Sequence, residues 1–408
     1  MRSSRPADRT GVALALLLGL SAFLLSWALL HTGRWQRGEL VDTGVYERYG
    51  DAIVRGEVPY RAFVPEYPPL ALPAFVLPSL VVGADASQSR YEVAFDLLML
   101  ACGLALVVLV GLALAALGAP TPQLAAALAL VGLAPLLLGS VVLTRYDLWP
   151  AALTAGAMLA FVRGRDRLGA GVLGAAAAAK AYPVVLVPIA AAWVWRRRGR
   201  SEAILCGAVF AAVVAACVLP FLVVAPEGVR ESVERQLERP LQIESLAAAA
   251  LVAAGADVSL DQSHGSQNVG GGLGDAAAFA TTAAMLGALV SIWVAAVRGP
   301  AEPERLVRLS AAAVVAAVAL GKVLSPQFLV WLVPLVPLVA GRRGLRASVL
   351  LAAALVLTQL WFPTRYWDYA LGHDRGLALV VLARDLVLVA LLVTLVLPAS
   401  DAERRPRA

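Results

Sequence analysis

The chain has 408 residues, 60% of them hydrophobic and only 15% charged, with a formal net charge of +6 and a mean hydropathy of +0.78. Soluble domains carry about a quarter charged residues, and apolar runs here recur at bilayer-spanning length, which excludes a water-soluble globular fold and predicts an all-α, polytopic membrane protein. The positive excess is arginine in short clusters between apolar runs, a mark of membrane topology rather than of nucleic-acid binding.

Gly11 to Leu30 is long enough for a full span and lacks an A-x-A cleavage pattern, so it reads as an uncleaved first helix. Arg2, Arg5 and Arg9 put the tail 1–10 on the cytoplasmic side. After Asp42, the residues Val45, Tyr46, Tyr49, Ala52 and Ile53 form one apolar stripe, which predicts an amphipathic helix lying in the headgroup layer. The apolar piece Leu70 to Val82 is too short to cross and is broken by Pro73 and Pro78, so it is expected to be re-entrant or interfacial. Spans are then predicted near 92–117, 123–143 and 148–162. The stretch 168–195 lies between basic clusters at Arg163–Arg167 and Arg196–Arg200. It should rise and return as two half-helices meeting at Lys180–Pro183, with a pair of thinned crossings as the alternative. Further helices follow near 203–224, 276–297, 309–324, 327–340, 347–362 and 376–397, and the basic tail 398–408 ends inside. Together these make one transmembrane domain over 11–397, with outer loops 31–90 and 225–275 and about 10–12 helices including re-entrant half-helices.

This topology moves almost every unusual polar group to the outer face: Asp42, Glu66, Tyr67, Arg145, Tyr146, Asp147, Lys180, the segments 241–245 and 261–268, Gln327, Arg365, His373 and Asp374. Asp42 has two readings: an N-cap of the amphipathic helix, or a general base whose carboxylate sits at the edge of a low-dielectric layer. Arg145 and Asp147 could pair with each other. Lys180, one of two lysines in the chain, stands alone in an apolar stretch and is a candidate to bind an anion. Arg384-Asp385, in the last span, reads as an internal pair holding helices together. "GGGLGD" at 270–275 lacks the Gly-Lys-Ser/Thr ending of a phosphate loop and is read as a flexible hinge. Three cysteines inside apolar segments and three scattered histidines offer neither a disulfide framework nor a metal-ligand cluster.

The acid at 42 followed by "VYERYGDAIVRGEVPY", then "EYPPL", "RGRDRLGAGVLGAAAAAKAYP" and "LSPQFLVWLVPL" resembles, in this order and spacing, the GT-C class of integral-membrane glycosyltransferases. Within that class the chain is most similar to family 87, the group with a DUF2029-type domain that includes polyprenol-phosphate-mannose-dependent mannosyltransferases. Where many relatives have Gly-Gln, this sequence has Thr144-Arg145-Tyr146-Asp147.

The resemblance implies a polyprenyl-phosphate-sugar donor, with mannose the expected sugar, and a lipid or glycan acceptor at the outer face of the cytoplasmic membrane. It also implies an acid in the first outer loop as catalytic base. That acid is Asp42, with Asp51 the second choice. Such a donor carries its own leaving group, so no nucleotide and no organic cofactor are expected, and metal dependence is left open. Lys180 and Arg145, then Arg365 and His264, are the candidates to bind the donor phosphate. Glu66, Tyr67, Tyr146, Asp147 and Gln327 are the candidates to line the substrate site, and re-entrant segments would shape a lateral groove for the lipid tail. The competing reading is a polytopic transporter or lipid flippase, which predicts an internal repeat and polar groups at mid-bilayer. A third is a non-catalytic assembly partner in envelope synthesis.

Overall fold

The computed structural model describes residues 6–32, 40–372 and 374–397. Arg2, Arg5, His373 and the tail 398–408 lie outside them. In chain order the helices are α1 (Arg9–Leu30), α2 (Thr43–Val54), α3 (Leu72–Val82), α4 (Gln88–Ala116), α5 (Thr121–Leu138), α6 (Leu148–Val162), α7 (Asp166–Ala179) and α8 (Val187–Arg198). They continue as α9 (Arg200–Val224), α10 (Pro226–Leu237), α11 (Leu246–Ala253), α12 (Gly271–Arg298), α13 (Pro303–Ala319), α14 (Gly341–Gln359), α15 (Tyr366–Ala370) and α16 (Arg375–Val396). Six of these, α1, α4, α5, α9, α12 and α16, are long and apolar enough to cross a membrane. The chain is an all-α, multi-pass membrane protein.

The first layer packs backbone to backbone. α1 lies against α5, where a Cβ on Gly132 would come within 2.6 Å of the Gly19 carbonyl, and the Phe23 ring fills the space a side chain at Gly103 of α4 would need. Small residues substitute here for a hydrophobic driving force that lipid cannot supply. α1 starts where Asp8 accepts a hydrogen bond from the Gly11 N–H at 2.7 Å, and α16 starts where Asp374 caps Leu377 at 3.0 Å.

The expected break in the 168–195 stretch is present. α7 ends at Ala179, Lys180 is extended, and a 3₁₀ turn over Tyr182–Leu186 leads into α8. The far ends of this hairpin are tied together, since Arg198 Nε lies 3.3 Å from Asp166 Oδ2 and Arg167 pairs with Glu202 at 2.8 Å. The chain therefore rises about 20 Å along α7, turns at Lys180 and returns. α6 runs between the same ends, with Asp147 at its start and Arg163 at its finish.

Two expected elements differ. The stretch 327–340 is not an α-helix but two 3₁₀ turns, Pro326–Leu332 and Val336–Leu338, because Pro334 and Pro337 remove the backbone donors a continuous helix would need. "GGGLGD" is not a hinge. Gly271 takes φ +77 and opens α12, and a Cβ at Gly274 would sit 2.5 Å from the Val269 carbonyl, so the glycines form a close strand-to-helix junction.

The segment between α9 and α12 is folded rather than looping. It contains α10, α11 and a small antiparallel sheet of β1 (Leu241–Gln242), β2 (Ser259–Ser263) and β3 (Ser266–Gly270) in the order β1-β3-β2. Leu241 pairs with Val269, and Asp261 with Asn268. His264 and Gly265, both at positive φ (54 and 66), make the two-residue turn between β2 and β3.

Candidate functional site

The elements converge on a polar cavity of about 460 Å³ at the end of the bundle that carries Lys180. Asp42 enters it from the start of α2, Glu66 and Tyr67 from the extended Pro-rich segment, Arg145 and Tyr146 from the turn before α6, and Lys180 from the tip of the α7–α8 hairpin. Gln327 and Trp331 come from the first 3₁₀ turn, Gln242 and Glu244 from β1 and its exit, His264 from the β2–β3 turn, and Arg239 from the end of α10. Side chains from positions 42 to 366 thus share one chamber.

Asp42 occupies the N-cap position of α2, yet its side chain makes no capping bond. Its Oδ2 lies 3.0 Å from Arg145 Nε and accepts the Tyr46 hydroxyl at 3.3 Å. The capping reading therefore fails for the side chain. Asp42 remains about one-third exposed toward the cavity while Arg145 is nearly buried. Arg145 also donates to the Leu40 carbonyl at 3.3 Å. Beneath them Tyr46 stacks on Phe75 at 4.3 Å and meets the edges of Tyr67 and Tyr146, so the apolar stripe of α2 is packed into an aromatic core.

Arg145 does not pair with Asp147, as the sequence allowed. Asp147 is 1% exposed and turns inward, where its Oδ1 accepts both Lys180 Nζ and Trp331 Nε1 at 2.6 Å. It holds Lys180 rather than lining the cavity, which corrects its expected place. Lys180 also lies 4.5 Å from the Tyr146 ring centre and 5.2 Å from that of Trp331. A cation in such a low-dielectric wall is held by a carboxylate and by ring quadrupoles together.

Arg365 is not in the chamber. It pairs with Asp368 at 3.2 Å and Asp374 at 3.6 Å on an exposed surface, so its expected role in phosphate binding finds no geometric support. Asp51 is likewise elsewhere: it accepts a hydrogen bond from Ser79 at 2.7 Å and ties α2 to α3. Glu66, Tyr67, Tyr146, Gln327 and His264 do line the cavity. Burial raises the Glu66 carboxyl, with Arg239 opposing the shift.

Arg239 went unnoticed in the sequence because it sits in a run of ordinary helix charges, "VERQLERP". Its importance comes from the fold of the segment between α9 and α12, which periodicity did not reveal. A second, apolar groove of about 700 Å³ runs between α3 and α4, lined by Leu77, Val81, Val93 and Leu97 with Arg90 and Ser89 among its few polar residues. It contains none of the candidate residues. α3 connects the two spaces, since the 3₁₀ turn leading into it follows Pro68 at the cavity and its last residues lie in the groove.

Fold and cavity together define a polytopic membrane protein with a walled, charged chamber at one end of a helical bundle. The pattern of glycosyltransferase family 87 matches residues 63–326, more than half of the chain, and the chain belongs to that family. It is thus a glycosyltransferase, and the transporter reading gives way. Among solved structures, the crystal structure of ArnT from Cupriavidus metallidurans bound to undecaprenyl phosphate is similar, with 15% identity, 96% of this chain and 78% of that chain covered, and a TM-score of 0.49. No curated protein matches the sequence significantly.

Proposed function

We propose that the protein transfers a sugar, with mannose as the first candidate, from a polyprenyl-phosphate donor to a lipid or glycan acceptor at the outer face of the cytoplasmic membrane, with both termini inside. The supporting observation is the juxtaposition of Asp42 with two cations, Arg145 and Lys180, in one chamber of a family-87 chain. The acceptor hydroxyl gives its proton to the Asp42 carboxylate as its oxygen bonds to the sugar C1. The C1–O bond to phosphate breaks, and the polyprenyl phosphate leaves with one more negative charge than it had as a diester. Lys180 and Arg145 are placed to stabilise that charge.

In the unliganded chamber Arg145 is engaged by Asp42. A phosphate beside Arg145 competes for the guanidinium and loosens its hold on Asp42, so donor binding readies the base. The apolar groove between α3 and α4 supports a place for the polyprenyl tail. Purified protein in lipid nanodiscs, given decaprenyl-phosphate-mannose and an alkyl mannoside, should release decaprenyl phosphate in step with product. Release of no lipid phosphate from this or other decaprenyl-phosphate sugars would remove the donor class.

A further inference from the structure

Away from the charge pairs, two side chains that line the chamber each carry a buried polar atom without a hydrogen-bond partner. Glu244 is 2% exposed, lines the cavity, and its Oε2 is buried without a hydrogen-bond partner. Arg239, on the same wall, has a buried Nε in the same condition. Buried unpaired groups of this kind are destabilising by themselves, and the two side chains that carry them line one cavity, which points to a ligand that completes the bonding.

The backbone beneath Glu244 is fixed from several directions. The Gln242 N–H donates to the Lys322 carbonyl at 2.9 Å and the Ile243 N–H to the Gln267 carbonyl at 3.0 Å. Tyr369 OH donates to the Ile243 carbonyl at 2.6 Å and Arg384 Nη2 to the Glu244 carbonyl at 2.7 Å. Beside it, Gln242 Nε2 donates to Ser325 Oγ at 3.0 Å. Carboxyl, amide, hydroxyl and guanidinium are therefore presented on a rigid platform.

Their chemistry selects the ligand. Arg239 has the Glu244 carboxyl as its counter-group on the same wall, so the wall is not a cation cluster built for an anion. Adjacent acceptors and donors at fixed positions match vicinal hydroxyls, each of which donates one hydrogen bond and accepts others. We infer that Glu244, Gln242 and Arg239 form a subsite for the non-reacting hydroxyls of a sugar ring, distinct from the Lys180–Arg145 side of the chamber. The inference rests on the glycosyl-transfer reading, and the ring belongs either to the donor or to the acceptor.

Binding to nanodisc-embedded protein separates these sources with three probes: decaprenyl-phosphate-mannose, decaprenyl phosphate and octyl α-mannoside. Glu244→Ala should weaken the mannose donor about tenfold if the ring is the donor's, or octyl mannoside about tenfold if it is the acceptor's. Bare decaprenyl phosphate should bind unchanged. Glu244→Gln, which keeps a donor and an acceptor in the same volume, should recover most of the loss and controls for folding. Unchanged binding of both sugar probes, or an equal loss for the bare lipid phosphate, overturns the subsite. Failure of the catalytic reading is separately visible, because these are equilibrium measurements that do not depend on Asp42 or on turnover.

Discussion

Two groups of charges lie deep in apolar parts of this chain, and they are built differently. In α16, Arg384 Nε is 2.6 Å from Asp385 Oδ1, both side chains are 0% exposed, and Trp361 lies against the guanidinium at 5.8 Å. At the chamber, Asp42–Arg145 and Lys180–Asp147 each join one buried group to a partner reaching the cavity. A sealed pair can hold structure but meets no substrate, whereas a half-open pair can exchange its partner for a ligand. The difference is one of access, since each group pairs aspartate with a basic side chain.

Breaking the sealed pair should have the largest effect on folding. Arg384→Leu leaves Asp385 buried without its cation and should destabilise the protein by about 3–5 kcal/mol. The double variant Arg384→Leu, Asp385→Leu should recover part of this, measured as melting temperature by size-exclusion after heating. Recovery will be incomplete, because Arg384 also supports the Glu244 carbonyl.

Lys180→Met sharpens the contrast. Losing a charged hydrogen bond to buried Asp147 should lower stability by about 2–3 kcal/mol, and transfer should fall strongly. Adding Asp147→Asn should restore much of the stability but not the transfer. A double variant with near-normal turnover would make Lys180 as purely structural as Arg384.

Glu244 gives a pH test. Burial pushes its carboxyl up to about 7, against about 4.3 for an exposed glutamate. Below the unfolded value both states are protonated. As pH rises toward 7 the unfolded chain ionises first, so native stability is lost through this window. Glu244→Gln does not titrate and should be more stable than the native protein at pH 8 by on the order of 3 kcal/mol, with the gap shrinking to about 1 kcal/mol at pH 5 and closing below about pH 4. A gap independent of pH would contradict the burial argument. Arg365→Ala, which removes only exposed pairs, should change stability by less than about 1 kcal/mol and leave transfer nearly unaltered.

Much of this was legible in the sequence. The arginine clusters placed the turns, and the isolated Lys180 with its following proline marked the hairpin tip. Asp42, Arg145, Lys180, Glu66 and His264, read separately, are brought into one chamber. What could not be read was pairing. "TRYD" suggests a local Arg145–Asp147 bridge, but the turn before α6 sends the two side chains in different directions, toward partners more than 30 residues away. The fold between α9 and α12 was also hidden, because short polar strands carry a weak periodic signal next to long apolar helices. Arg239 was missed for that reason, and Glu244 was seen only as part of a polar segment.

Replacement of Asp42 by Asn bears most directly on the proposed chemistry. The variant keeps the shape of the side chain and removes the proton acceptor. Donor binding should persist, the melting temperature should change little, and kcat for transfer should fall by about a hundredfold or more. A folded, donor-binding Asp42→Asn protein with near-native kcat would show that the proton leaves by another route.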